Sequence, residues 1–192
     1  MNYYYAHQRR VKDTNHAHEI NCICADKEFD LNVFIHGERY NKEWNDDFRF
    51  YYDIKKDYKF FDYLNNDMSW FLVSEKLKNL IIEMNTEVEF FPVYICDINN
   101  SVEPKRYYAA NIVTTVDALC LEISDYGIIE HRTLGPTPVV TKYGIYESKT
   151  EGKDLFKLVR PQEIPIFCSE KFKSAVEKNK ITGFYFYPLR VK

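Results

Sequence analysis

Residues 71–78 read FLVSEKLK, and residues 166–173 read IFCSEKFK. Both stretches carry Ser-Glu-Lys, an apolar residue and a second Lys. The likeness continues beyond them: SEKLKNLIIEMNTEVEFFP runs from Ser74 to Pro92, and SEKFKSAVEKNKITGFYFYP, one residue longer, from Ser169 to Pro188. Ser74 and Ser169 are suited to cap a helix N-terminus, where a hydroxyl accepts from an otherwise unmatched backbone N–H. Glu75 and Glu170 then lie at the positive end of the helix dipole. Leu77, Leu80, Ile81 and Met84 follow at the spacing of one helical face, as do Phe172, Ala175 and Val176. Both helices should be short, about three turns, ending near Asn85-Thr86 and Asn179-Lys180. An apolar run precedes each (Trp70–Val73 and Ile164–Cys168). An aromatic strand follows each (Val88–Phe91 and Phe184–Tyr187) and stops at proline, which cannot donate to a sheet ladder. Segments 70–92 and 164–188 are therefore expected to be one unit written twice.

Working outward, the intervening chain is mostly strand-like. Tyr107–Val113, Ile128-Ile129, Val139–Lys142, Ile145–Glu147 and Leu155–Val159 are candidate strands. Thr114–Leu119 is expected to form a helical turn, with Thr115 as cap, and LGPTPVV at 134–140 reads as a loop. The 192 residues suit one sizeable domain or two small lobes packed together, taken as a single domain, 1–192, and 45% hydrophobic residues can supply its core. The pattern reads as α+β, a mixed sheet with few short helices, built from two similar helix-strand halves.

Composition narrows function. The net charge of −3 and pI near 6.0 argue against a nucleic-acid binder, which would carry a basic stripe. No run approaches the roughly 20 apolar residues of a membrane span. The start, MNYYYAHQRRVKD, lacks the apolar region of a signal peptide. Five cysteines at irregular spacing do not form a disulfide framework. These features point to the cytoplasm.

No nucleophile elbow, zinc-protease helix, Walker loop, dinucleotide glycine motif or C-x-x-C pair occurs. Two groups invite chemistry. In HAHEINCIC, residues 16–24, His16, His18, Cys22 and Cys24 would share one face of a continuous strand, and imidazole with thiolate suits zinc or copper. Their spacing is not that of zinc knuckles, and Ile20 and Ile23 flank the thiols, so two buried cysteines and two exposed imidazoles are the simpler expectation. Cys168 precedes a helix cap, where a thiolate would be stabilised. Its counterpart in the first copy is Val73, which favours an apolar staple over a nucleophile. Neither a cofactor nor a bound metal is expected.

Charge is uneven. Residues 26–67 hold 11 acidic and 7 basic side chains, whereas residues 151–192 hold 5 acidic and 9 basic. In the acidic half the carboxylates are interleaved with aromatics. Aromatic anchors inside an acidic rim describe a protein-binding patch. Trp44, Asp46, Asp47, Tyr51, Tyr52, Asp53 and Asp57 are its candidate contacts. The alternative is that the rings are core and the acids a solvated face.

Taken in order, WFLVSEKLK at 70–78, VEFFPV at 88–93, YYAANIVTTVDAL at 107–119, DLFKL at 154–158, IFCSEKFK at 166–173 and TGFYFYP at 182–188 resemble immunity protein family eleven of bacterial polymorphic toxin systems, over roughly residues 26–190. The resemblance implies cytoplasmic binding and neutralisation of a cognate toxin, and it carries no catalytic residues. Two other classes stand beside it: a small enzyme using Cys168 or the His16/His18/Cys22/Cys24 group, and a ligand-binding module with an aromatic cleft.

Overall fold

The computed structural model describes the chain except for residues 9–20, 27–28, 53–58, 134 and 160–164. It is mostly β, with few short helices, and its sheets mix parallel and antiparallel pairs. In chain order the elements are β1 (Tyr3–Gln8), β2 (Asn21–Cys24), a 3-10 turn (Leu31–Phe34), β3 (Arg49–Tyr52), β4 (Tyr63–Asn66), β5 (Phe71–Val73), α1 (Glu75–Ile82), β6 (Val88–Asp97), β7 (Lys105–Ile112) and β8 (Thr115–Val116). A 3-10 turn (Leu121–Ile123) leads to β9 (Asp125–His131), β10 (Gly135–Lys142), β11 (Gly144–Ile145), α2 (Glu147–Thr150), β12 (Leu155–Leu158), β13 (Ile166–Ser169), α3 (Glu170–Lys178), β14 (Phe184–Pro188) and β15 (Arg190–Val191).

Six strands close into a barrel in the order β2-β3-β6-β7-β5-β4. A five-stranded sheet, β14-β1-β13-β12-β8, lies beside it. Alternation along the strands joins the two bodies. Leu72, Tyr107 and Ala109 point into the barrel, with Phe50, Trp70, Val93 and Ile95. Their neighbours Phe71, Val73, Tyr108, Ala110 and Ile112 point outward and pack with Leu77, Leu80 and Ile81 of α1, and with Ile166, Cys168 and Phe172 from the second sheet and α3. The far face of that sheet buries Tyr3, Phe156, Leu158 and Phe167 against Val116, Ala118 and Ile145.

The two Ser-Glu-Lys stretches sit in matching surroundings. Ser74 and Ser169 are N-caps, accepting at 3.2 Å from the N–H of Leu77 and Phe172 respectively. Each hydroxyl donates to an aspartate on the preceding strand's approach: Ser74 to Asp62 at 2.6 Å, Ser169 to Asp154 at 2.9 Å. The backbone N–H of each serine also donates to the carbonyl of that same aspartate. Glu75 accepts from the phenol of Tyr108, and Glu170 from that of Tyr4. Those bonds hold both carboxyls below the usual glutamate range. Lys78 and Lys173 each pair with their glutamate and lie over the ring of the same tyrosine, 3.9 Å and 5.0 Å from the centroid. The sequence retains Ser, Glu and the second Lys because each has a bond to make.

The pairing register matches too. Val73 lies opposite Tyr108 and Cys168 opposite Tyr4; Pro92 lies opposite Tyr108 and Pro188 opposite Tyr4; Phe90 lies opposite Ala110 and Phe186 opposite Ala6. The order β4-β5-β7-β6 thus has the counterpart β12-β13-β1-β14. Tyr3–Ala6 occupies the place of Tyr107–Ala110, although it comes from the start of the chain.

Some local expectations are corrected. Thr115-Val116 is not a helical turn but a short strand parallel to Lys157-Leu158 of β12. The sequence 134–140, read as a loop, falls largely in β10. β6 does not stop at Pro92 but runs on to Asp97. Gly183, at φ +96°, lets the start of β14 touch β4: an added Cβ would lie 2.4 Å from the Tyr63 carbonyl oxygen.

Candidate partner-binding surface

The acidic-aromatic segment splits by the period of β3. Phe48, Phe50 and Tyr52 point into the barrel and are at most 3% exposed, while Arg49 and Tyr51 face outward. Tyr52, proposed above as a contact, is core instead, packed edge-on against Phe60 at 5.2 Å. Trp44 is half-buried. It stacks on Phe48 at 5.1 Å, touches Phe91 at 4.9 Å, and donates its indole N–H to the Pro92 carbonyl at 2.9 Å. It closes one end of the barrel core rather than standing free as an anchor. Asp53 and Asp57 lie outside the described residues.

Asp46 and Asp47 are exposed on the turn before β3. Asp47 accepts from Arg49 at 2.9 Å, so Asp46 and Glu43 give the turn its acidity. Beyond it the outer barrel wall carries Tyr51, with Ile23 of β2 directly opposite, and Arg49, with Tyr94 of β6 beside it. Ile23 is 52% exposed. Directly paired residues share a sheet face, so Ile23, Tyr51, Arg49 and Tyr94 form one patch with the acidic turn at its end. The sequence reading missed Ile23 and Tyr94, because which strands adjoin β3 is set by barrel closure.

A second exposed area is the β9–β10 ribbon, whose strands pair only with each other among the described residues. Tyr126, Ile128, Ile129 and Val139 are 44–57% exposed on it. At its base Asp125 accepts from Arg190 at 2.6 Å and Lys142 at 3.0 Å, which hold its carboxyl down to about 2. Beside that base a cleft of about 530 Å³ is lined by Tyr5, His7, Tyr143, Tyr187, Lys142 and Arg190 among others. Burial pushes the Tyr143 phenol up to about 12.

The chemical candidates land elsewhere. Cys168 is fully buried in the shared core, and burial pushes its thiol well above the ordinary range, the opposite of an activated nucleophile. Cys22 and Cys24 point into the barrel, where Cys24 donates to the Asp26 carbonyl at 3.3 Å. Burial raises the Cys24 thiol as well. His16 and His18 lie outside the described residues. Among the described residues no three His, Cys, Asp or Glu side chains gather in a way that could hold a metal, and no helix is long and apolar enough to cross a membrane.

What the geometry presents is strands that display apolar, aromatic and charged side chains together in exposed patches. The comparison with family models gives the class a name. Residues 3–191 match the Immunity protein family (Imm11), and the chain belongs to that family. No curated protein is matched by its sequence.

Proposed function

We propose that this chain is an immunity protein that binds a cognate toxin effector stoichiometrically and blocks it in the bacterial cytoplasm. It does so without catalysis, cofactor, nucleic acid or membrane. The observation that carries the reading is family membership across 3–191. The outer barrel patch is the proposed contact face. Tyr51 and Ile23 supply apolar contact, Asp46 and Asp47 an acidic rim, and Trp44 a rigid support beneath them. A standard interface buries about 800 Å² per partner, so neighbouring surface must contribute. Co-expression with the toxin domain encoded next to the gene tests the reading by growth and co-purification. The Asp46→Asn, Asp47→Asn double variant should slow association and flatten its salt dependence, because rim charges act on encounter. Unchanged rates in that variant and in Tyr51→Ala would move the face elsewhere.

The same reading takes 1–192 as one immunity unit built from two similar halves. The matched caps, Tyr–Glu bonds and pairing registers support it. In the second half the N-terminal strand β1 fills the place that β7 fills in the first.

A second reading, a ligand-binding module, is favoured by the tyrosine-lined cleft, whose volume falls within the range of small-molecule sites. An immunity protein should protect cells with Tyr5→Ala or Tyr187→Ala in that cleft; loss of protection in both, with folding intact, would favour the module.

A further inference from the structure

The β9–β10 ribbon blunts one of its edges and, among the described residues, leaves the other uncovered by any strand. Pro136 lies opposite Glu130, and Pro138 opposite Ile128. Proline has no N–H, so these are the pairs of the ladder that exchange no hydrogen bonds. The backbone groups of residues 136 and 138 therefore face the outer edge of β10, and two missing donors blunt it. By the same alternation, the N–H and C=O groups of Glu130, Ile128 and Tyr126 face the outer edge of β9. That strand, DYGIIEH, holds no proline and no lysine. No other strand pairs with that edge among the described residues. Its side chains are exposed, Ile128 by 57% and Ile129 by 50%.

We propose that this edge is a self-association site, on which the β9 of a second copy of this chain pairs antiparallel about a two-fold axis through Ile128. The occupant follows from the sequence of the strand itself. This register uses all seven residues of β9. Ile128 meets Ile128 of the second copy across the axis, and Ile129 meets Gly127, where the absent side chain leaves room. Tyr126 meets Glu130, and its phenol can donate to that carboxylate. Asp125, already held by Arg190 and Lys142, meets His131, so no like charges face each other. Sliding the pairing toward the C-terminal end of the strand until Glu130 sits on the axis would oppose two carboxylates, which is destabilising. The result is a continuous four-stranded sheet, β10-β9-β9-β10, with an isologous interface. One strand pair buries less than a standard interface, so the dimer dissociates on dilution. The inference does not depend on toxin binding.

Sedimentation of the purified full chain across about a hundredfold dilution series tests it, with Ile128→Pro and Ile128→Lys beside the wild type and thermal melts to check folding. Ile128→Pro removes an outward N–H that β10 does not use. Ile128→Lys sets two like charges across the axis and needs no backbone change. The wild type should show a monomer–dimer equilibrium, and each folded variant should raise the dissociation constant about tenfold or more. A wild type that is monomeric throughout overturns the proposal. So does a dimer unaffected by both variants. If Ile128→Lys weakens capture of the toxin domain while self-association is unchanged, the edge belongs to the toxin, and the proposal fails.

Discussion

Replacing either capping serine by alanine should destabilise the protein, but by unequal amounts. Ser169 is 1% exposed, and its hydroxyl serves two partners: it accepts from the Phe172 N–H at 3.2 Å and donates to Asp154 at 2.9 Å. Asp154 is itself 6% exposed, and among the described residues its carboxylate accepts further only from the Lys171 ammonium at 2.6 Å and the Asn85 backbone N–H at 3.0 Å. Losing the cap costs about 1 kcal/mol. Leaving a buried carboxylate one donor short adds about 1–2 kcal/mol. Ser169→Ala should therefore cost about 2–3 kcal/mol in all. Ser74 is half-buried, and its aspartate, Asp62, retains both the N–H and the hydroxyl of Thr182 at 2.8 Å. Ser74→Ala should cost about 1 kcal/mol, the cap alone. Urea unfolding at unchanged m-value measures both. In a chain of this size the difference appears as a gap of about 2–8 °C between the two melting midpoints. Equal costs, or a Ser169→Ala cost below about 0.5 kcal/mol, would refute the reasoning that the buried serine–aspartate bond adds to the cap.

Trp44→Ala should lower stability by about 2–3 kcal/mol, at or below the usual range for a buried ring because Trp44 is half-buried, and a thermal melt should register it before any binding assay does. Asp154 is held below the ordinary carboxylate range although its burial opposes the charge, because Lys171, the Asn85 N–H and Ser169 bond the ionised form. Its contribution is thus fully present above the unfolded aspartate value and is lost as pH falls through the folded one. Urea midpoints measured downward from about pH 5 should fall for the wild type and fall less for Asp154→Asn. All five cysteines are buried and unbridged, so a thiol reagent should react slowly with the native protein and with all five in denaturant; rapid native labelling of Cys168 would contradict its place in the shared core.

Much of the body was legible where the signal was local. The Ser-Glu-Lys stretches announced caps and short amphipathic helices, since a hydroxyl followed by an acid and a helical apolar face has few other uses. Partners distant in sequence were not legible. Tyr4 and Tyr108 complete the two units from opposite flanks, one before and one after its helix, so the likeness of YYYA at 3–6 to YYAA at 107–110 is plain only once both strands are seen against their serines. The prolines of β10 read as loop because an edge strand needs fewer donors than a central one. In the candidate face, the period-2 alternation of Phe48, Phe50 and Tyr52 already marked an inward row. The composition of the segment drew attention to its rings, and the strand period shows which of them are surface. Ile23 and Tyr94 reach Tyr51 and Arg49 only through barrel closure, which no local pattern encodes.

The most direct measurement is growth of cells expressing the C-terminal domain of the protein encoded by the adjacent gene, as the candidate toxin, with and without the chain. The account predicts that the wild type restores growth and co-purifies with the toxin domain in equal amount, without altering it covalently. Failure to protect or to form a complex, with the protein folded and abundant, would contradict it.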